Sequence, residues 1–317
     1  MKRLFLVICV ACSACVEEGE VTIANSGKWI PVTTSDGLPS NLITTLYADT
    51  KGNVWVGSMA GISKYDGSVF TNYNEDNGPL TDNWILTIIE DRDDNIIVGT
   101  KNGLNLFDGT AWYYFPLFDG VEVNALVEAE NGDVWVGTSG YGVIQLYYSG
   151  GYEQHFDYAC GDCNYVHALF KDDTGTLWIG SEADLKLYDG TFESYTVADG
   201  LAGPWVSAIA ADHWGNVWLG GFAQDFITRS RALNFDQVPL VQSTAFNWVR
   251  AIVEDRNGLL WMAADQGGLL YYDGASMRYV VDKFDDTYVT ALTVDAKGQL
   301  WVGTEGEGIV TYFSPKK

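Results

Sequence analysis

One five-residue phrase recurs along the chain and leaves few folds open to it. It reads VWVGT at Val134, with variants at Val54 (VWVGS), Ile96 (IIVGT), Leu177 (LWIGS), Val217 (VWLGG), Leu260 (LWMAA) and Leu300 (LWVGT). The second residues of the seven copies, Trp55, Ile97, Trp135, Trp178, Trp218, Trp261 and Trp301, follow one another at steps of 38 to 43 residues. Self-similarity at such a period marks a repeat architecture, in which each copy is one supersecondary unit that buries its apolar face only by stacking on its neighbours.

The stretch Asn164 to Thr196 shows what one copy contains. An apolar run (Tyr165 to Phe170) meets a turn holding Asp172 and Gly175; LWIGS follows, then LKLYDG, then FESYT. Trp, Val, Ile, Tyr and Phe fill the runs and Gly, Asp and Asn the joints, as half-buried strands and tight turns require. No stretch carries helical periodicity with caps. Four short strands per copy predict an all-β fold, a seven-bladed β-propeller of four-stranded antiparallel blades. The last copy supplies three strands (Val289 to Val294, Gln299 to Val302, Ile309 to Phe313), while a strand from Lys28 to Thr33 stands alone before the first copy. The N-terminal strand is expected to complete the last blade, so that closure removes the exposed edges an open array would carry. On this reading residues 28–317 form one domain.

The phrases DGLPSN at Asp36, GNVWVGS at Gly52, GISKYDG at Gly61, TGTLWIGS at Thr174 and ADGLAGPWV at Ala198 resemble the two-component regulator propeller repeat, over essentially the whole chain after its leader. The resemblance implies a periplasmic ligand-binding sensor propeller. In that family such propellers often come in tandem, fused to a β-sandwich, a membrane helix and a histidine kinase, and some members sense carbohydrates; this chain carries one propeller.

The N-terminus reads as a targeting segment. Met1-Lys2-Arg3 gives the positive start and Leu4 to Ala11 an apolar core too short to span a bilayer. Ser13-Ala14-Cys15 resembles a lipoprotein processing site, which divides the chain into a signal peptide, 1–15, ending at a lipidated Cys15, and a tether, 16–27. The acidic run after Cys15 resembles the surface-export signal of Bacteroidetes lipoproteins. The expected place is the outer membrane, possible surface exposure included; ordinary cleavage near Ala14, giving a periplasmic or secreted protein, is the alternative. With 42 acidic against 18 basic residues the net charge is −24, which repels phosphate backbones and argues against a nucleic-acid partner. The membrane is met only through the lipid, and the expected state is a monomer. Cys160 and Cys163 are expected to close a small disulfide in an oxidising compartment, since two cysteines fall short of the four ligands of a structural zinc site. The recurring Asp-x-x-Gly turns at Asp49, Asp172, Asp212, Asp255 and Asp295 read as Asx turns rather than calcium sites, and no cofactor or metal is expected.

Because the shared residues build the scaffold, function is sought where the copies differ. Aligning the first strands on Ile43, Ile85, Val123, Val166, Val206, Val249 and Val289 puts Leu42, Trp84, Glu122, Tyr165, Trp205, Trp248 and Tyr288 just before the anchors. Thr44, Leu86, Asn124, His167, Ser207, Arg250 and Thr290 come just after and, by strand alternation, lie on the same side. The loops between second and third strands add Lys101, Tyr141, Glu182, Phe222, Asp265 and Gln266 to the same face. Flat rings beside varied polar groups suit a sugar, so Trp84, Asn124, Tyr141, Tyr165, His167, Trp205, Phe222, Trp248, Arg250 and Tyr288 are the expected ligand contacts. The same tryptophans would equally serve to pack blade against blade. Two other functions stay open: a scaffold for an envelope protein, and a propeller lyase or hydrolase. There is no GxSxG and no HExxH, and the catalytic candidates are His167, Glu122 and Arg250.

Overall fold

The computed structural model describes residues 28–313, apart from residues 79, 156–160, 224–225, 241–246, 266–267, 281–283 and 285–286. The expected signal peptide, Cys15, the tether, Cys160 and Gln266 therefore lie outside the described residues. The chain is all-β, with short 3-10 turns between sheets. Seven antiparallel sheets follow one another along the sequence, six with four strands and one with five.

The first strands of the sheets are Ile43–Ala48, Ile85–Glu90, Val123–Glu128, Val166–Lys171, Ala208–Ala211, Asn247–Glu254 and Val289–Val294. Each touches the first strand of the next sheet, and Val289–Val294 touches Ile43–Ala48, so the seven close into a ring with these strands innermost. The seventh sheet completes itself as the sequence predicts. Its outer strand is Trp29–Val32, paired antiparallel to Ile309–Phe313 with Trp29 opposite Tyr312 and Val32 opposite Ile309. The fifth strand of the sixth sheet is Phe222–Ala223, a short piece of the preceding copy's loop that reaches across to Trp248 and Asn247.

The recurring phrase forms the second strand of each sheet, and six of these, Val54–Ser58, Ile96–Thr100, Val134–Thr138, Leu177–Ser181, Val217–Gly220 and Leu260–Ala264, are buried throughout. Fourth strands such as Phe192–Tyr195 face solvent along most of their length. The core lies between the sheets. One cluster joins Trp178, Leu185 and Leu187 of the fourth sheet to Val206, Val217 and Leu219 of the fifth, and another joins Trp301 and Ile309 of the seventh to Ile43, Leu46 and Val54 of the first. The glycine of the phrase is set by this packing. A Cβ on Gly137 would lie 2.6 Å from Cγ1 of Val166, the anchor of the next sheet.

The turns carry a second regularity. The carboxylate of Asp212 accepts the backbone N–H of Trp214 and Asn216 (3.0 and 2.9 Å), as an Asx turn does, and also the indole N–H of Trp218 at 2.8 Å. Asp49, Asp172, Asp255 and Asp295 hold Trp55, Trp178, Trp261 and Trp301 in the same way at 2.8 to 3.1 Å. Burial pushes the Asp212 carboxyl up, but bonds from the Asn216 side chain, the Trp218 indole and two backbone amides outweigh it and leave the group below its ordinary value. The second sheet departs from the pattern: it has Ile97 in place of Trp, and Asp94, at φ 63°, where the other turns have glycine. Left-handed backbone costs a non-glycine residue about 1–2 kcal/mol. Asp94→Gly should therefore raise stability by about 0.5 kcal/mol, net of glycine's larger unfolded-state entropy and a weak exposed ion pair to Lys51, as read from the urea midpoint.

His155 predicts a pH dependence. Its ring stacks on Trp135 (centroids 5.3 Å apart) with Nε2 sealed from solvent and unbonded, and burial holds its pKa below the ordinary histidine value, against a smaller upward pull from Glu153. A depressed folded pKa means that this stability is complete above the unfolded value of about 6.5 and is lost as pH falls, because the unfolded chain takes the proton first. Stability should decline between pH 6.5 and 5, and His155→Phe should flatten that decline in urea melts at pH 7.5 and 5.5.

Cys163 is disulfide-bonded; its expected partner, Cys160, lies outside the described residues. Among the described residues no group of three or more His, Cys, Asp or Glu side chains is placed to hold a metal, and no helix is long and apolar enough to cross a membrane.

Candidate functional site on the channel face

The face to which the sequence directs attention is shaped by a bulge. In six of the seven sheets the register between first and second strands slips just after the anchor: between Ile43 and Thr45, Ile85 and Thr87, Val123 and Ala125, Val166 and Ala168, Val249 and Ala251, and Val289 and Ala291. The skipped residues are Thr44, Leu86, Asn124, His167, Arg250 and Thr290. A bulge leaves its extra residue unpaired and re-aims its side chain. Simple alternation of the strand does not describe these positions, and the polar ring sorts into two kinds.

One kind is structural. Asn124 Nδ2 donates to the carbonyl of Val166 at 3.0 Å, Ser207 Oγ to that of Val249 at 3.1 Å, and Thr290 Oγ1 to that of Ile43 at 2.7 Å. In each case the residue after one anchor caps the carbonyl of the next sheet's anchor. These side chains stitch the ring at its centre, and Asn124 is spent there and on Ser139 Oγ (2.9 Å).

The other kind gathers where sheets four, five and six meet. The Trp205 ring sits 5.4 Å from the His167 ring, 5.0 Å from Trp248 and 6.4 Å from Phe222. Trp248 donates its indole N–H to Ser207 Oγ at 2.6 Å, and the Arg250 guanidinium lies 4.4 Å from the Trp248 ring centroid. Arg250 is held by Asp265 through two bonds of 2.6 and 2.8 Å, and His167 Nε2 lies 3.1 Å from Glu182 Oε1. Trp205 Nε1 is sealed from bulk solvent and has no acceptor. Across the ring stands a smaller group: Lys101 lies 4.5 Å over the Trp84 ring and 3.5 Å from Glu122. Tyr141, Tyr165 and Tyr288 are exposed on the rim.

The structure thus brings His167, Trp205, Phe222, Trp248 and Arg250 into one continuous group and leaves Trp84, Tyr141, Tyr165 and Tyr288 apart from it. The three catalytic candidates are not bonded to one another: His167 faces Glu182, Glu122 faces Lys101, and Arg250 faces Asp265. Asp265 and Glu182, which fix Arg250 and His167, were visible in the sequence only as loop residues on the same face.

A family model described as the two component regulator propeller matches residues 37–60, 117–140, 161–183 and 283–306. Together with the seven recurring copies, this shows that the chain carries two-component regulator propeller repeats. No curated protein matches the sequence. The extracellular domain of a hybrid two-component system from B. thetaiotaomicron superposes with a TM-score of 0.77 at 18% identity, over 90% of this chain and 42% of that one. Virginiamycin B lyase from Staphylococcus aureus gives 0.75 at 14% identity, over 90% of this chain and 98% of that one. PorZ, a surface component of the type-IX secretion system of Porphyromonas gingivalis, gives 0.66 at 17% identity, over 89% and 48%. At these identities the likeness is one of fold.

Proposed function

We propose that this two-component regulator propeller is an extracytoplasmic, sensor-type module whose channel face binds a neutral carbohydrate over Trp205, Phe222 and Trp248. The observation that carries the reading is the pairing of charges around those rings. Arg250, His167 and Lys101 each face a carboxylate of their own, so the charged groups are satisfied within the protein. What is left for a ligand is the partly exposed aromatic surface of Trp205, Phe222 and Trp248. Pyranose faces stack on such rings. The fold shared with an extracellular sensor domain and the leader at residues 1–15 support a place outside the cytoplasm, with Cys15 as the lipid-bearing residue.

The test is a thermal-shift screen against neutral oligosaccharides. A ligand at 100 times its Kd stabilises by about 2.7 kcal/mol. Trp205→Ala and Trp248→Ala should each abolish a shift that wild type shows. A shift that survives both substitutions, or no shift with any glycan, would count against the proposal. The exposed Tyr141, Tyr165 and Tyr288 support the second reading, a surface for an envelope protein, which a pull-down from native membranes would then address.

A further inference from the structure

The face opposite the channel loops holds a cleft that departs from the repeat twice. It measures about 480 Å³, lies between the fifth and sixth sheets, and is lined by residues including Trp214, Arg229, Arg231, Ala232, Tyr272 and Gly274. Trp214 sits in an Asp-x-x-Gly turn where the other copies place Lys51, Asp93, Asn131, Thr174, Asn257 and Lys297. Only here is that position aromatic; the ring is 58% exposed and leans across Gly274, where an added Cβ would meet it at 3.2 Å. The second departure is the hairpin joining Phe226–Arg231 to Asn234–Pro239. Corresponding corners carry Asp66-Gly67, Asp108-Gly109, Asp189-Gly190 and Asp273-Gly274, whereas this one reads Arg231-Ala232-Leu233. It forgoes the acidic residue and holds Ala232 and Leu233 at φ 49° and 63°, backbone that favours Asn and Gly. Strain of this kind persists where surrounding structure fixes it, and it collects at ligand clamps.

Charge completes the picture. The nearby carboxylates are already engaged: Asp236 with Arg229 at 3.3 Å, Glu254 with His213 at 2.5 Å, Asp273 with Arg278 at 3.1 Å, and Asp212 with Trp218 and Asn216. Arg231 is exposed and makes no ion pair among the described residues, and Arg229 Nε is sealed from solvent without an acceptor. In a chain of net charge −24, this cleft sets one unpaired guanidinium, that of Arg231, beside the rings of Trp214 and Tyr272. We propose that it binds a carboxylate carried next to a flat apolar surface, the Arg231 guanidinium taking the charge and Trp214 the apolar side. The same chemistry is offered by a small organic acid and by the C-terminus of a peptide.

Isothermal titration of the full propeller at low salt tests this with two acids, D-glucuronate and N-acetylphenylalanine, and their neutral counterparts, methyl glucoside and N-acetylphenylalanine amide. The expected result is binding of at least one acid, at least tenfold tighter than its neutral partner. Arg231→Gln and Trp214→Ala should each weaken it tenfold or more, whereas Trp205→Ala on the other face should leave it unchanged. Which acid binds distinguishes the small-molecule source from the peptide source. Both substituted side chains are largely exposed, so an unchanged Tm certifies the fold of each variant. Absence of heat with both acids, equal affinity for the neutral probes, or full affinity in Arg231→Gln would overturn the proposal.

Discussion

Deleting residues 28–33 should cost the propeller about 4 kcal/mol or more and promote self-association. The strand Trp29–Val32 supplies the outer edge of the seventh sheet, and Trp29 stacks on Tyr312 (centroids 4.4 Å, planes 27° apart) and meets Phe284 edge-on at 5.4 Å. Truncating a fully buried Trp costs about 3–5 kcal/mol, and a partly buried one such as Trp29 somewhat less. Deletion also removes the ladder to Ile309–Phe313 and uncovers an edge that can template pairing with another chain. Two single substitutions divide the effect. Trp29→Ala should cost about 2–3 kcal/mol, since the ring is only partly buried. Trp29→Phe should cost less, because Nε1 of Trp29 has no partner to lose. Urea melts give the energies and sedimentation velocity the association. A truncated chain that melts within 0.5 kcal/mol of wild type and shows no added self-association would show that closure by this strand does not hold the ring.

Asp212→Ala should cost about 3–5 kcal/mol, and Asp91→Ala only about 1–2. The two carboxylates occupy the same place in the second and fifth copies and differ in what depends on them. Asp212 is buried and accepts four bonds, among them those of Trp218 Nε1 and Asn216 Nδ2, both of which would be stranded in the interior. A buried donor left without an acceptor costs about 1–3 kcal/mol, and bonds to a charged acceptor are the stronger ones. Asp91 orders its own turn through Asp93 N, Asn95 N and the Asn95 side chain at 2.9 Å each, but its sheet has Ile97 and no indole to strand. Equal costs at the two sites would mean that the turn, rather than the tryptophan, is what the carboxylate serves.

That contrast shows where the sequence was legible. Seven copies of one phrase dictate seven sheets, and the lone strand before the first copy leaves one place for it, beside Ile309–Phe313. The turn aspartates were readable as Asx turns. Their hold on Trp is also written in the chain, as Asp followed six residues later by Trp in five of seven copies, although the turn alone accounts for the residue. Asparagines tie down the loops between sheets: Asn41 Oδ1 accepts Thr34 N, and Asn83 Oδ1 accepts Glu75 N, both at 2.9 Å.

The site was only half readable, and the bulge is the reason. Alternation treats every residue after an anchor alike. In the structure Asn124, Ser207 and Thr290 turn to the next sheet's carbonyl, while His167 and Arg250 turn to loop carboxylates. Nothing in the residue types distinguishes the two fates. What decides is whether the loop between the second and third strands offers an acid, as Glu182 and Asp265 do, and that is a matter of three-dimensional register. The same logic separates the aromatics. Trp205 and Trp248 meet because consecutive anchors bring them side by side, whereas Trp84 stands alone with Lys101.

The most direct measurement is an amide and indole 15N correlation spectrum, with the Trp205, Trp248 and Trp214 indole signals assigned by single Trp→Phe variants. It would be recorded while titrating the neutral oligosaccharide that gives the largest thermal shift. The account predicts that the Trp205 and Trp248 indole signals move together and saturate at one Kd, while Trp214 stays in place. Movement confined to Trp214, or to signals outside sheets four to six, would contradict it.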